Sequence, residues 1–345
     1  MLKYFELSIA FTIICLTLSY FVGGVSAVYI TSVLAILEIS LSFDNAVVNA
    51  TVLGKMSHGW QKAFLTLGML IAVFGMRLVF PLLIVGIVGG DALGSGSLIN
   101  HCVEAFKMAI QNKEHFQSIL ISSHVMIAGF GGTFLLLVAL NYFFDGEKEI
   151  HWLSFIEKPF SALGKIESLY ISIALLISFI TSKFIFESQT FLIASIIGII
   201  TYTIVEGISS FLENSCGAIV NGAKHSFYSG LAMFMYLEVL DASFSFDGVI
   251  GAFVLTNDIF IIALGLGIGA MFVRSLTVML VEKKTLSEYR YVEQGAFWAI
   301  MSLAIIMFLS ATGVEIPEYI SGSIGVAFLA LSVVSSIIYK QGEVK

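Results

Sequence analysis

Ten stretches of mostly apolar residues recur along this chain, near residues 4–22, 26–53, 63–89, 124–144, 168–187, 190–212, 228–256, 258–280, 292–312 and 320–339. Each is about as long as a helix needs to be to cross a hydrocarbon layer roughly 30 Å thick. The composition agrees: 58% of the 345 residues are hydrophobic and 12% charged, with a mean hydropathy of +0.98. These values place the chain in the membrane class and leave no soluble core to look for. The sequence therefore predicts an all-α membrane protein with about ten transmembrane helices in a lipid bilayer.

The formal charge of -7 does not describe an acidic surface, because several acids fall inside the apolar runs. Nothing in this balance points to nucleic acid as a partner. Cys15, Cys102 and Cys216 are widely separated and form neither a zinc spacing nor a redox pair. The first run follows Lys3 and precedes small residues at 24–27, as a signal peptide would, but its length and the many later spans favour an uncleaved first helix. The connections 90–123 and 145–167 mix charge with aromatic and aliphatic residues and read as short helices at the membrane interface.

Basic residues test the topology, since cytoplasmic loops hold the excess of Lys and Arg. With the N-terminus inside, twelve of the 17 fall on the cytoplasmic side and only Lys107, Lys113 and Lys183 outside, while Arg77 and Arg274 lie within spans. Both termini are expected to be cytoplasmic.

Two octads within these runs repeat one another. Glu38-Ile39-Ser40-Leu41-Ser42-Phe43-Asp44-Asn45 and Asp241-Ala242-Ser243-Phe244-Ser245-Phe246-Asp247-Gly248 share an acid, alternating serines, Phe-Asp and a turn-prone residue. Leu67-Gly68 precedes Arg77 at the same spacing as Leu264-Gly265 precedes Arg274. Five crossings separate the second and seventh spans, so the second copy is inverted. Two inverted three-helix repeats are an architecture of secondary transporters, with the binding site near the midplane where helices are interrupted. The corresponding segments are 1–25, a first helix; 26–144, repeat one; 145–225, a cytoplasmic loop and linking helices; 226–312, repeat two; and 313–345, the last helix and tail.

Ionised carboxylates inside a bilayer are rare and functional, at about 2.5–3.5 kcal/mol each on insertion scales. On an unbroken helix Glu38 and Asp44 would point about 120° apart, while Glu38, Ser42, Asn45 and Asn49 would form one stripe. Unwinding near Phe43-Asp44-Asn45 and Phe246-Asp247-Gly248 would let the acids converge, and Asn and Gly tolerate such a break. The resulting ligands are carboxylate, hydroxyl, amide and carbonyl oxygen, with no nearby Cys or His. That set suits hard divalent cations, and Mn, Mg and Ca all satisfy it. Ser40, Ser42, Ser243, Ser245 and Asn49 are additional neutral ligands, although membrane serines more often serve packing. Arg77 and Arg274 are expected to gate the site or pair with its acids. The alternative for these charges is a set of internal ion pairs, Asp44 and Asp247 with the two arginines, that orders the bundle.

Glu206, Glu238 and Glu293 are candidates for a proton relay. His124 reads as a capping or interface residue, and Gly129–Gly132 and Gly265–Gly269 as close helix packing. No nucleophile elbow, HExxH or Walker motif occurs, so an enzyme is not expected.

At the octads the chain resembles the TerC family of bacterial integral membrane proteins, named for tellurium resistance. Together with the loop ending in Trp152, it looks like a longer branch of that family once labelled a domain of unknown function. The resemblance spans roughly residues 26–312. It implies a bacterial inner-membrane protein of metal homeostasis, chiefly manganese efflux, with Glu38, Asp44, Asn45, Asp241 and Asp247 carrying the ion. The family's link to tellurite resistance and to metal supply for exported proteins implies a second reading, a membrane scaffold or stress-response factor. Gly248 stands where the first copy has Asn45, so the half-sites are unequal.

Overall fold

A computed structural model describes residues 4–54, 56–89, 97–166, 168–186, 188–216, 222–283, 289–314 and 316–343. It is helical throughout, and no strand occurs among the described residues. Helices satisfy every backbone donor and acceptor internally, which is what a bilayer demands. In chain order they are α1 Glu6–Leu41, α2 Phe43–Leu53, α3 His58–Ala63, α4 Phe80–Val88, α5 Leu98–Gln111, α6 Lys113–Ser122, α7 His124–Phe143, α8 Ser154–Leu163, α9 Leu169–Ser182, α10 Ser188–Cys216, α11 Gly222–Leu255, α12 Ile259–Glu282, α13 Val292–Ala311 and α14 Glu318–Glu343. Between α3 and α4 the helix widens into π-helical turns at Phe64–Gly68 and Ile71–Val79.

Seven of the described helical stretches are long and apolar enough to cross a membrane. The sequence shows ten apolar runs, and three features account for the difference. The first two runs form one helix that folds back on itself, the fifth is only the 14-residue α9, and the seventh, in α11, carries Glu238, Asp241 and Asp247.

The fold-back in α1 occurs at Gly23–Gly24, where Gly24 takes φ 64 and ψ -153, a conformation open to glycine at little steric cost. Ser19 and Thr31 then meet through a 2.7 Å hydroxyl hydrogen bond, and Cys15 packs with Ala35. The two arms are therefore antiparallel. An arm of about 17 residues is roughly 26 Å long at 1.5 Å per residue.

The chain divides into two compact units. The first comprises 1–43, 63–124 and 244–279. In it the first arm of α1 runs antiparallel to α12: Ser8 Oγ donates to the Met271 carbonyl at 2.9 Å and meets Ser275 Oγ at 2.7 Å, and Cys15 packs on Ile268. Lys113 of α6 pairs with Asp258 at 2.6 Å.

The second unit comprises 44–62, 125–243 and 280–345. Its centre is α7, of whose 20 residues 14 are buried. A methyl group at Gly129 would lie 2.7 Å from the Phe191 carbonyl of α10, and one at Gly132 would lie 3.1 Å from Met307 of α13. Small residues thus bring these backbones close, as membrane helices use them.

Also in this unit, the connection before α9 is tied down by a buried acid. Glu157 of α8 is wholly enclosed. It accepts from Lys148 Nζ at 3.0 Å, Trp298 Nε1 at 3.0 Å and the backbone N–H groups of Trp152 and Leu153 at 3.2 and 3.1 Å. Phe155 on the same helix is 93% exposed. Burial by itself raises the pKa of Glu157, but the hydrogen bonds from Trp298, Leu153 and Lys148 outweigh it and hold the carboxyl below the ordinary 4.5. A carboxyl depressed on folding binds its proton more weakly than in the unfolded chain, so its stabilisation is complete above pH 4.5 and fades as pH falls through the folded pKa. Thermal unfolding of the detergent-solubilised protein should therefore lose stability below about pH 4.5, and Glu157→Gln should flatten that loss. An identical acid profile in the variant would refute the assignment.

Candidate functional site

The first octad is interrupted as its spacing demands, but one residue earlier than expected. α1 ends at Leu41, Ser42 leaves helical geometry at φ -99 and ψ 18 while its N–H bonds the Glu38 carbonyl at 2.9 Å, and α2 starts at Phe43. The second octad corrects the expectation of matched breaks, because α11 runs unbroken through Phe246-Asp247-Gly248. Glycine at 248 instead permits a close approach. A Cβ there would lie 2.9 Å from Glu38 Oε2.

Glu38 is at the centre of the polar chemistry in the first unit. It is 4% exposed and forms an ion pair with Arg77 Nη2. Arg77 lies in the second π-helical segment, where its Nη1 also donates to the Ala72 carbonyl. Such widened turns recur at functional sites. Gly269 of α12 completes the cradle, since a Cβ there would overlap Glu38 Cβ and Cγ. The glycines read from the sequence as helix packing thus include one that makes room for a buried acid, and Gly248 is a second.

Arg274 is buried in α12. Its Nη1 donates to the Phe64 carbonyl at 2.6 Å, and its guanidinium lies 4.2 Å from the Phe64 ring centroid, a cation–π contact.

In the second unit Asn49 Nδ2 donates to Asp241 Oδ1 at 3.2 Å. Asn49 is 1% exposed, and its side-chain oxygen accepts no hydrogen bond among the described residues. A buried amide oxygen left with its lone pairs next to a carboxylate is a fit for a hard cation. Glu38 and Ser42 are buried in the first unit, and Asn45 and Asn49 in the second.

The serines divide. Ser40 is exposed and donates to the Ile36 carbonyl at 2.8 Å, and the buried Ser243 donates to Val239 at 2.9 Å. Ser245 is buried with no hydrogen bond to its hydroxyl among the described residues. Glu238 is buried one turn before Asp241 on α11. Glu293 is half-buried in the first turn of α13, where a helix N-terminus favours an acid. Glu206 accepts from Asn141 Nδ2 at 3.1 Å and Tyr170 hydroxyl at 2.8 Å. The side chains of Asp44 and Asp247 lie outside the described ones. Among the described residues no three His, Cys, Asp or Glu side chains come together as a metal cluster.

The sequence reading missed the Glu157 clamp. Its signal was available: Glu157 shares a helical face with Leu153, Ile156 and Phe160, and an acid on the apolar face of an interfacial helix requires a partner.

These features define a multi-pass helical membrane protein with acids and amides buried among apolar spans. The chain belongs to the DUF475 family, described as proteins of unknown function, whose family model it matches over residues 43–343. The match begins inside the first octad and contains the whole of the second. No curated protein and no solved structure matches the chain.

Proposed function

We propose that this protein carries a divalent cation across the bacterial inner membrane, chiefly Mn outward, by alternating access of two inverted three-helix repeats. In this reading ten spans leave both termini in the cytoplasm. Glu38, Asp44, Asn45, Asp241 and Asp247 bind the ion, with Asn49, Ser42 and Ser245 as neutral oxygen donors. Arg77 and Arg274 balance charge or gate, and Glu206, Glu238 and Glu293 are candidates to pass protons. Mn as cargo, export as direction and the tellurium connection rest on the resemblance to the TerC family. The observation that carries the reading is the Asn49–Asp241 pair, a half-buried carboxylate beside a buried amide whose oxygen accepts no hydrogen bond among the described residues. Hard cations are held by such oxygens.

A second reading has one observation in its favour. The buried Glu38–Arg77 ion pair is what a membrane scaffold or stress-response factor with structural charges would use. Reconstitution separates the two. Proteoliposomes holding the purified chain should move Mn in a saturable way that empty liposomes do not, with Mg and Ca as competitors. Absence of flux above the empty control would remove transport and leave the scaffold.

A further inference from the structure

A cavity of about 610 Å³ in the second unit has no octad residue in its lining and is bordered by Asn141 and Tyr142 at the end of α7, Asp145 just beyond it, Tyr170 at the start of α9, Tyr236 of α11 and Phe297 of α13. This is the size of a small-molecule site.

Its hydrogen-bonding polarity is set by Glu206. Asn141 spends an amide N–H, and Tyr170 its hydroxyl proton, on the two Glu206 oxygens. Asn141 keeps its side-chain oxygen and a second N–H, and the Asp145 carboxylate adds acceptor oxygen to the wall. Its charge has one sign: among the described residues no basic side chain lines the cavity, Asp145 is part of the wall, and the Glu206 carboxylate stands one hydrogen bond behind it.

An ammonium of the protein itself shows what the rim residue Tyr142 accepts. Lys148 Nζ sits 4.0 Å from the Tyr142 ring centroid while paired with Glu157. Tyr142 stacks on Phe297 with centroids 3.7 Å apart, so both its faces are occupied. Tyr170 and Tyr236 remain as the aromatic surfaces for a guest.

We propose that this cavity binds a small organic cation through its ammonium group, supplied by a free amine or by a lipid headgroup. Acceptor oxygens, net negative charge and aromatic rings together are the recognition chemistry of such ions. A hard metal ion would find too few carboxylates and a wall too aromatic for its six or more oxygen ligands.

Calorimetry on the full-length protein in detergent tests this with choline chloride, its uncharged carbon isostere and Mn chloride. Choline is expected to bind, and the isostere to bind about tenfold more weakly or worse. Asp145→Asn keeps an acceptor oxygen, and Glu206→Gln keeps one for Asn141. Each should weaken choline about tenfold while the protein still elutes as one species with unchanged helical circular dichroism. Tyr236→Leu should weaken it as well. Phosphatidylcholine vesicles that displace choline where phosphatidylglycerol vesicles do not identify a headgroup as guest, and displacement by neither identifies a free amine. No choline binding, equal binding of the isostere, displacement of choline by Mn, or unchanged affinity in all three folded variants would each overturn the proposal.

Discussion

Arg77→Ala is expected to destabilise the protein by about 3–5 kcal/mol, because it strands the Glu38 carboxylate as an unpaired charge in a buried site. Glu38→Gln should do the same to Arg77. Both partners are nearly inaccessible, at 4% and 3%, and the Glu38 side chain is wedged against Gly269 and Gly248. Neither charge can turn to water. A replacement of both partners behaves differently, since exchanging a buried ion pair for apolar groups of similar volume is often neutral or stabilising, by about 1–4 kcal/mol. Methionine suits both positions. It is unbranched and adaptable, whereas a group branched near Glu38 Cγ would strike Gly269, where even a methyl on the glycine would overlap that atom. The Glu38→Met/Arg77→Met double variant should therefore unfold in detergent at or above the wild-type temperature. If Glu38 carries the ion, this stable variant is also devoid of Mn flux. Wild-type flux in a folded double variant would remove Glu38 from the ion path and leave the pair as architecture.

Asp44→Asn is expected to reduce Mn flux in proteoliposomes to the level of empty liposomes while leaving the protein inserted and folded. The substitution keeps the shape and one oxygen of the side chain and removes only the charge, which is the property a hard cation uses. Its position makes the effect specific. Asp44 is the second residue of α2, directly after the Ser42 break, where the helix N-terminus tolerates an acid. Insertion should not suffer, because an amide is easier to bury than a carboxylate by a good part of the roughly 2.5–3.5 kcal/mol charged-residue penalty. Unchanged flux would end the assignment of Asp44 as a ligand, and loss of inserted protein would have to be rescued before flux was read.

Much of the helical layout was legible in the ten apolar runs, since length and apolarity are one-dimensional properties. The interruption of the first octad was legible too, because Glu38 and Asp44 are six residues apart and no straight helix points both the same way. The placement of that break at Ser42, and the unbroken course of α11 through Gly248, were not. A glycine permits an irregular backbone but also permits close approach, and only a neighbour tells which need it meets. Here the neighbour is Glu38. The partners of the arginines were equally hidden. Equal spacing from a Leu-Gly pair makes Arg77 and Arg274 look alike in sequence, but it records neither the Glu38 carboxylate at the first nor the Phe64 carbonyl and ring at the second.

Sequence by itself determined that this chain is built of apolar helices with acids in two similar octads inside apolar runs, since the bilayer imposes helix length, backbone pairing and the rarity of charge on every segment separately. Tertiary structure alone decided which groups face the acids: Arg77, Gly248 and Gly269 around Glu38, Asn49 at Asp241, and, outside the octads, Lys148 with Trp298 at Glu157. These contacts join residues from 9 to 231 positions apart. Which of them meet depends on how the helices pack side by side, and no local pattern of residues records that.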